Sequence, residues 1–194
     1  MPVTQRDNQH HTYGDYLTWS REFGDELIDG IAYIREPPSG SRVHQEIVGQ
    51  LYRQVADALE GKSSQAYVAP SDVRLPKAGE PDDEVDTVVQ PDVFIVCDRR
   101  KLDTRGTRGA PDWVAEVLSP TTASYDQTIK LAAYERAGVP EVWLIHPTDR
   151  TLTIYLLEAG RYGHAAVFEL MGQTPTTSVS GVTIDWDRLL ARLV

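Results

Sequence analysis

The stretch Trp113-Val114-Ala115-Glu116-Val117-Leu118-Ser119-Pro120 decides how the chain is read. A short apolar, β-branched run ends at a Ser-Pro stop, the pattern of a strand buried on both faces. One carboxylate, Glu116, is set into it. Upstream, Val89-Gln90-Pro91-Asp92-Val93-Phe94-Ile95-Val96 repeats the arrangement, with Asp92 at the entrance of a second apolar strand, 24 positions before Glu116. An ionised carboxylate in an apolar sheet is costly unless a cation, a proton or hydrogen-bond donors compensate it. Two such strands, followed by a helix carrying Lys130, point to a metal site built on a sheet.

Working outward, Ser124 to Ala137 reads as the helix after the Glu116 strand, with Gly138 as its stop and Pro140 just beyond. Glu141 to His146 is a further strand. Val43, Ile47, Leu51, Val55 and Leu59 recur every four residues and predict an amphipathic helix. Ser41 is its expected N-cap, after a break at Pro37 to Gly40. Tyr13 to Trp19 suggests a short helix. Glu26 to Ile34 reads as a hairpin about Asp29-Gly30, a type I′ pair. Ala66 to Leu75 is expected to be one strand. Thr151 to Leu157 and Tyr162 to Phe168 form a second hairpin about Ala159-Gly160. Val179 to Ile184 is a short strand, and Asp187 to Leu193 a terminal helical turn. The fold class is α/β of the mixed α+β kind: a mixed central sheet flanked by helices, with extra β-hairpins. A single domain over 1–194 is expected, with 1–11 flexible.

The balance of 19 Lys+Arg against 29 Asp+Glu gives a formal net charge of −10, which argues against indiscriminate nucleic-acid binding through a basic surface. It leaves nucleic acid open as a substrate. Glu80, Asp82, Asp83, Glu84 and Asp86 form an acidic loop, expected to be exposed and mobile. Arg99, Arg100, Lys101, Arg105 and Arg108 crowd a later loop, which reads either as a solvated surface or as a grip on a nucleic-acid backbone. Cys97 is the only cysteine, which excludes an internal disulfide and a Cys-based zinc site. The polar N-terminus lacks a signal core, and no apolar run approaches the roughly 18 residues of a membrane span. These features favour the cytoplasm.

Asp92 and Glu116 together suit Mg²⁺ or Mn²⁺, which take hard oxygen ligands. The alternative is that Asp92 caps a turn and Glu116 pairs with an arginine. Lys130 faces Asp126, Ala133, Tyr134 and Ala137 at helical spacing; it is either part of the site or a surface lysine paired with Asp126. Asp72 is a third acidic candidate, or a cap after Pro70. His44 lies in the first turn of its helix, where a histidine is ordinarily a packing residue. Glu26 opens the first hairpin, where a strand-end charge is ordinarily exposed. His10-His11 is near the terminus and expected to be disordered. No phosphate-binding glycine loop, HExxH helix or GxSxG elbow occurs.

Pro91-Asp92, Glu116-Val117-Leu118 and a lysine on the next helix together resemble the PD-(D/E)XK nuclease superfamily, in the variant whose lysine has migrated from the strand to the helix. Leu118 stands where the usual lysine would. The resemblance sharpens to the Uma-two family of restriction endonucleases. It rests on Thr12-Tyr13-Gly14-Asp15-Tyr16-Leu17, Glu26-Leu27-Ile28-Asp29-Gly30, Pro37-Pro38-Ser39 with His44-Gln45, and Pro70-Ser71-Asp72-Val73. It continues through Pro91-Asp92-Val93, Glu116 to Pro120, Asp126 with Lys130 and Tyr134, and Gly138 to Trp143. One departure is His146 before Pro147, where relatives carry an acid. The resemblance implies a restriction-endonuclease-like core and hydrolysis of DNA phosphodiesters. It implies Asp92, Glu116, the Val117 carbonyl and Asp72 as ligands of Mg²⁺ or Mn²⁺. Lys130 would orient water or neutralise charge, and His44 would hold phosphate or carry a proton. A homodimer would suit double-strand cleavage. The rival reading is a nuclease-fold binding or assembly module that does not cut.

Overall fold

The computed structural model describes residues 3–19, 25–34 and 42–193. The break at Pro37 to Gly40, the Pro37-Pro38-Ser39 match and the Ser41 cap lie outside the described residues. In chain order the elements are β1 (Thr4–Gln5), α1 (Tyr13–Tyr16), β2 (Glu26–Ile28), β3 (Ile31–Ile34), α2 (Arg42–Leu59), β4 (Gln65–Val68), β5 (Val73–Arg74), β6 (Val88–Val89) and β7 (Val93–Val96). They continue with β8 (Leu102–Asp103), β9 (Gly106–Arg108), β10 (Trp113–Val117), α3 (Ala123–Tyr125), α4 (Leu131–Ala137), β11 (Glu141–His146), β12 (Thr151–Glu158), β13 (Arg161–Tyr162), β14 (Ala166–Glu169), β15 (Gln173–Pro175), β16 (Thr183–Asp185) and α5 (Trp186–Leu190). The fold is mixed α+β, as the sequence predicts.

The central sheet runs β13-β12-β11-β10-β7-β4, with β14 also on β12. Strand β10 is parallel to β11 and antiparallel to β7, so the sheet is mixed. A parallel neighbour needs a crossover, and the helical segment carrying Lys130 supplies it. Alternation divides the strands between two cores. Val93, Ile95, Trp113, Ala115 and Val117 face α2 through Ile47, Leu51 and Val55. Phe94, Val96, Val114, Val142 and Leu144 face α4 through Ala133, Tyr134 and Val139. By the same parity, Glu116 and Asp92 lie on the α4 side. The β7–β10 register pairs Ala115 with Val93, so the next positions along are Glu116 and Asp92.

A second sheet, β1-β3-β2-β6-β5-β9-β8, packs beside the first and runs through β6 into Pro91 and Asp92. Its hairpin has Asp29 at φ 50° and Gly30 at φ 78°, both positive as a type I′ turn requires. Residues Thr4–Gln5, within the segment expected to be flexible, pair antiparallel with Ile34 and Tyr33. His11 is likewise ordered, with Nε2 2.9 Å from Asp7 Oδ1 and its ring edge-on to Trp19.

Two expectations are corrected. Ala66 to Leu75 is not one strand: β4 pairs with β7 in the central sheet, whereas β5 pairs with β6 and β9 in the second. Pro70 cannot donate to a ladder, and the chain changes sheets there. The acidic loop is not loose: Asp82–Glu84 forms a 3₁₀ turn, and Asp86 is buried. The basic loop is exposed, as the solvated reading has it, and its charges are paired: Arg105 and Arg108 with Asp82, and Arg100 with Asp98. Among the described residues, no helix is long and apolar enough to cross a membrane.

Candidate active site

Glu116 is drawn into a buried cluster by four elements. Lys130 Nζ lies 2.8 Å from Glu116 Oε1 and 3.0 Å from Glu26 Oε1, with no exposure of the lysine side chain. Asp126 Oδ1 is 3.9 Å from the same amine. The Tyr134 hydroxyl donates to Glu116 Oε1 at 2.5 Å. Asp92 stands on the neighbouring strand. Its amide donates to Glu116 Oε2 at 3.4 Å, and its Oδ2 accepts from the Val117 amide at 2.8 Å. His44 Nε2, from the first turn of α2, reaches the same Oδ2 at 3.2 Å. Asp92, Glu116, Lys130 and His44 are therefore one connected group.

The helix that delivers Lys130 is not uniform. Asp126–Lys130 forms a π-helical segment between α3 and α4. Such segments carry one residue more per turn and recur at functional sites. Here both end residues, Asp126 and Lys130, are buried.

Asp72 sits one step away. Its Oδ1 accepts from the Tyr16 hydroxyl at 3.0 Å and from the Gln90 amide at 2.9 Å. Gln90 is two residues before Asp92, and its backbone amide donates to Glu26 Oε1 at 2.7 Å. Asp72 is thus tied to the group through Gln90. His146 is apart from the cluster, with Nε2 3.5 Å from Thr153 Oγ1.

Glu26, Tyr134 and Gln90 are stronger members than their sequence setting suggests. Glu26 is fully buried, not an exposed strand end. It bridges the lysine and the backbone leading into Asp92. The signal available for Tyr134 was its spacing of four from Lys130 on one helical face.

The charge balance defines the chemistry. Glu26, Glu116 and Asp126 stand 2.8–3.9 Å from the Lys130 amine, with Asp92 beside Glu116, and all four acids are buried. Burial first, then the nearby charges of Asp92, Asp126 and Glu26, push the Glu116 carboxyl up to about 8 against the lowering effect of Lys130. Burial also raises the Tyr134 phenol well above its usual range, with Glu116 adding to the shift. The oxygens of Asp92 and Glu116 are hard donors, of the kind a divalent cation takes. Among the described residues, no group of three or more His, Cys, Asp or Glu side chains is already gathered as a metal cage.

Asp92, just before β7, Glu116 in β10 and Lys130 from the following helix meet against a mixed sheet with helices on both sides. A solved structure with this fold is that of a putative nuclease of the DUF820 family from Anabaena variabilis; it matches with a TM-score of 0.74 at 20% identity, covering 94% of this chain and 99% of that one. No curated protein matches the chain. The model of the Uma2 family, described as a putative restriction endonuclease, matches residues 14–187, and the chain belongs to that family.

Proposed function

We propose that this protein is a metal-dependent endonuclease that hydrolyses DNA phosphodiester bonds at the Asp92–Glu116–Lys130 cluster. The observation that carries the reading is the fully buried Lys130 amine, 2.8 Å from a Glu116 whose strand neighbour is Asp92. A lysine loses its hydration there only because carboxylates replace it, and Glu26 and Glu116 do so from two different strands.

In this reading Asp92, Glu116 and the Val117 carbonyl would hold Mg²⁺ or Mn²⁺. When bound, such an ion supplies Lewis-acid charge for the phosphate oxygens and acidifies a water. Lys130 then orients that water and offsets charge building on phosphorus. Glu26 holds the amine in place from the side opposite Glu116. His44 fixes the Asp92 carboxylate at the site's less buried edge and can pass a proton to the leaving oxygen. Asp72 steadies Gln90, and through it the Asp92 backbone; it can share a second cation if it exchanges its bonds to Tyr16 and Gln90. Cutting both strands calls for two copies. We assign their contact to the β12–β14 hairpin, where Val167, Phe168 and Met171 are exposed; sedimentation of wild type against Phe168→Glu tests it.

Plasmid digestion with Mg²⁺ or Mn²⁺ tests the assignment. Wild type should nick or linearise DNA, and Asp92→Ala and Lys130→Ala should not. Cutting that survives both changes places the chemistry elsewhere.

One observation favours the rival reading, a nuclease-fold binding module. Glu116 Oε1 already accepts from Tyr134 and pairs with Lys130, and Asp92 Oδ2 already holds Val117 and His44. Calorimetric titration separates the two: a cutting site binds Mn²⁺ in wild type and not in Asp92→Ala, whereas a closed site binds it in neither.

A further inference from the structure

Beside this cluster, on the second sheet, three guanidinium groups converge on one carboxylate. Arg74 of β5 and Arg108 of β9 are direct neighbours across a parallel strand pair. Like charges so placed repel each other unless an anion lies between them. Asp82, from the acidic loop, is that anion. Its two oxygens each lie 2.7 Å from Arg74 Nη1. Arg108 Nε reaches Oδ1 at 3.2 Å, and Arg105 Nη1, from the β8–β9 turn, reaches Oδ2 at 3.2 Å.

One aspartate is small for this seat. Asp103 holds Arg74 Nη2, the Glu80 carbonyl holds Arg108 Nη2 at 2.6 Å and Asp83 lies 3.4 Å from Arg105 Nη1, but among the described residues the buried Nε of Arg74 has no hydrogen-bond partner, and three guanidinium forks suit a tetrahedral oxyanion better than one carboxylate. Arg74 needs no second acid to stay charged, because Asp103 Oδ2 binds it at 2.6 Å and the Tyr13 ring lies beneath it. The position also suits a substrate track. Arg74, on β5, lies two residues after Asp72, about 7 Å along an extended chain, and both side chains rest against α1 through Tyr13 and Tyr16.

We propose that Arg74, Arg105 and Arg108 form a seat for a backbone phosphate of DNA, and that Asp82 fills it in the free protein as a displaceable stand-in. The choice of DNA as the polyanion rests on the nuclease reading above. The proposal also accounts for how a chain of net charge −10 engages DNA at all. Its basic loop is capped by its acidic loop until a phosphate replaces Asp82.

Fluorescence anisotropy with a short DNA duplex in metal-free buffer tests this apart from cutting. Asp82→Asn should bind about tenfold more tightly at low salt, and log K should fall more steeply with log salt by about one to two, for Arg105 and Arg108 set free. Glu60→Gln, an exposed change of the same net charge, should leave both unchanged. Adding Arg105→Ala and Arg108→Ala to Asp82→Asn should remove the gain. A gain no larger than that of Glu60→Gln, or one that survives loss of both arginines, overturns the proposal. If Asp82→Asn does not fold, Asp83→Asn, which loosens only the 3.4 Å contact to Arg105, should give a smaller gain of the same sign; no gain there also overturns it. Wild-type cutting without the Asp82→Asn gain sinks this inference alone. The gain without cutting by any variant sinks the nuclease reading and leaves a DNA-binding seat.

Discussion

At the scale of single residues, the cluster is held by one amine shared between two acids. Replacing Lys130 with Met keeps the volume and deletes the charge. It removes the amine that Glu26 and Glu116 share, so stability should fall by about 3–5 kcal/mol, read by urea denaturation. Cleavage should fall by about 10²–10⁴-fold, the usual worth of a positioned acid-base or electrostatic group. Glu26→Gln is the more discriminating change. Its amide oxygen still accepts from the Gln90 backbone, so the fold persists, while Lys130 loses one of its two close anions. A rate loss of about tenfold or more with an unchanged melting curve identifies Glu26 as a positioning residue; full activity would make it structural only. Asp92 and Glu116 were legible in the sequence because strand alternation fixes which face each carboxylate takes. Glu26 was not, because its burial comes from Lys130, 104 positions away, and no local pattern contains that contact.

At the scale of elements, type and order were legible wherever periodicity was strong. The 3.6-residue stripe of α2, the Asp29-Gly30 turn and the Gly138 stop after α4 all form as read. What local pattern could not supply was the sheet to which a strand belongs. Gln65 to Arg74 carries apolar residues on both sides of Pro70, yet it serves two sheets. The π segment over Asp126–Lys130 was equally invisible, since an extra residue in a turn leaves no compositional mark. Another hidden element contact is made by Glu141, the first residue of β11. Its Oε2 accepts from the Thr177 and Ser178 amides and the Ser178 hydroxyl at 2.7–2.8 Å, and its Oε1 from Trp143 Nε1 at 2.6 Å. This buried carboxylate clasps the loop before β16. Glu141→Ala should cost about 3 kcal/mol or more, since charge-assisted bonds are the strong ones and their donors would be stranded. Glu141→Gln should cost less. Limited proteolysis after β15 should accelerate for the alanine variant first, and unchanged cleavage there would reject the clasp. Gly106 is a second such contact: at φ +119°, a Cβ would lie 2.3 Å from the Asp72 carbonyl oxygen. Gly106→Ala should therefore destabilise the β5–β9 pair by more than about 1 kcal/mol, measurable as a lowered denaturation midpoint.

At the scale of the whole molecule, the raised Glu116 carboxyl ties global stability to pH. Its ordinary value is 4.5 and its folded value about 8. Between those limits the folded chain keeps a proton that the unfolded chain has released, so the folded state binds more protons. Stability must then fall as pH rises, being fully present below about 4.5 and lost through about 8. Acid-side losses belong to other groups; Arg100 holds the exposed Asp98 carboxyl down to about 2, far below this window. Melting temperatures of the metal-free protein from about pH 5 to 8.5 should decline, and Glu116→Gln, which has no proton to release, should flatten the decline. A divalent cation at Asp92 and Glu116 competes with that proton. Its stabilisation should therefore be small near pH 5, grow towards pH 8 and vanish in Glu116→Gln. Identical slopes for wild type and Glu116→Gln would mean that the buried carboxylates are already balanced by protein groups, and that the cluster has no charge vacancy for a metal ion to fill.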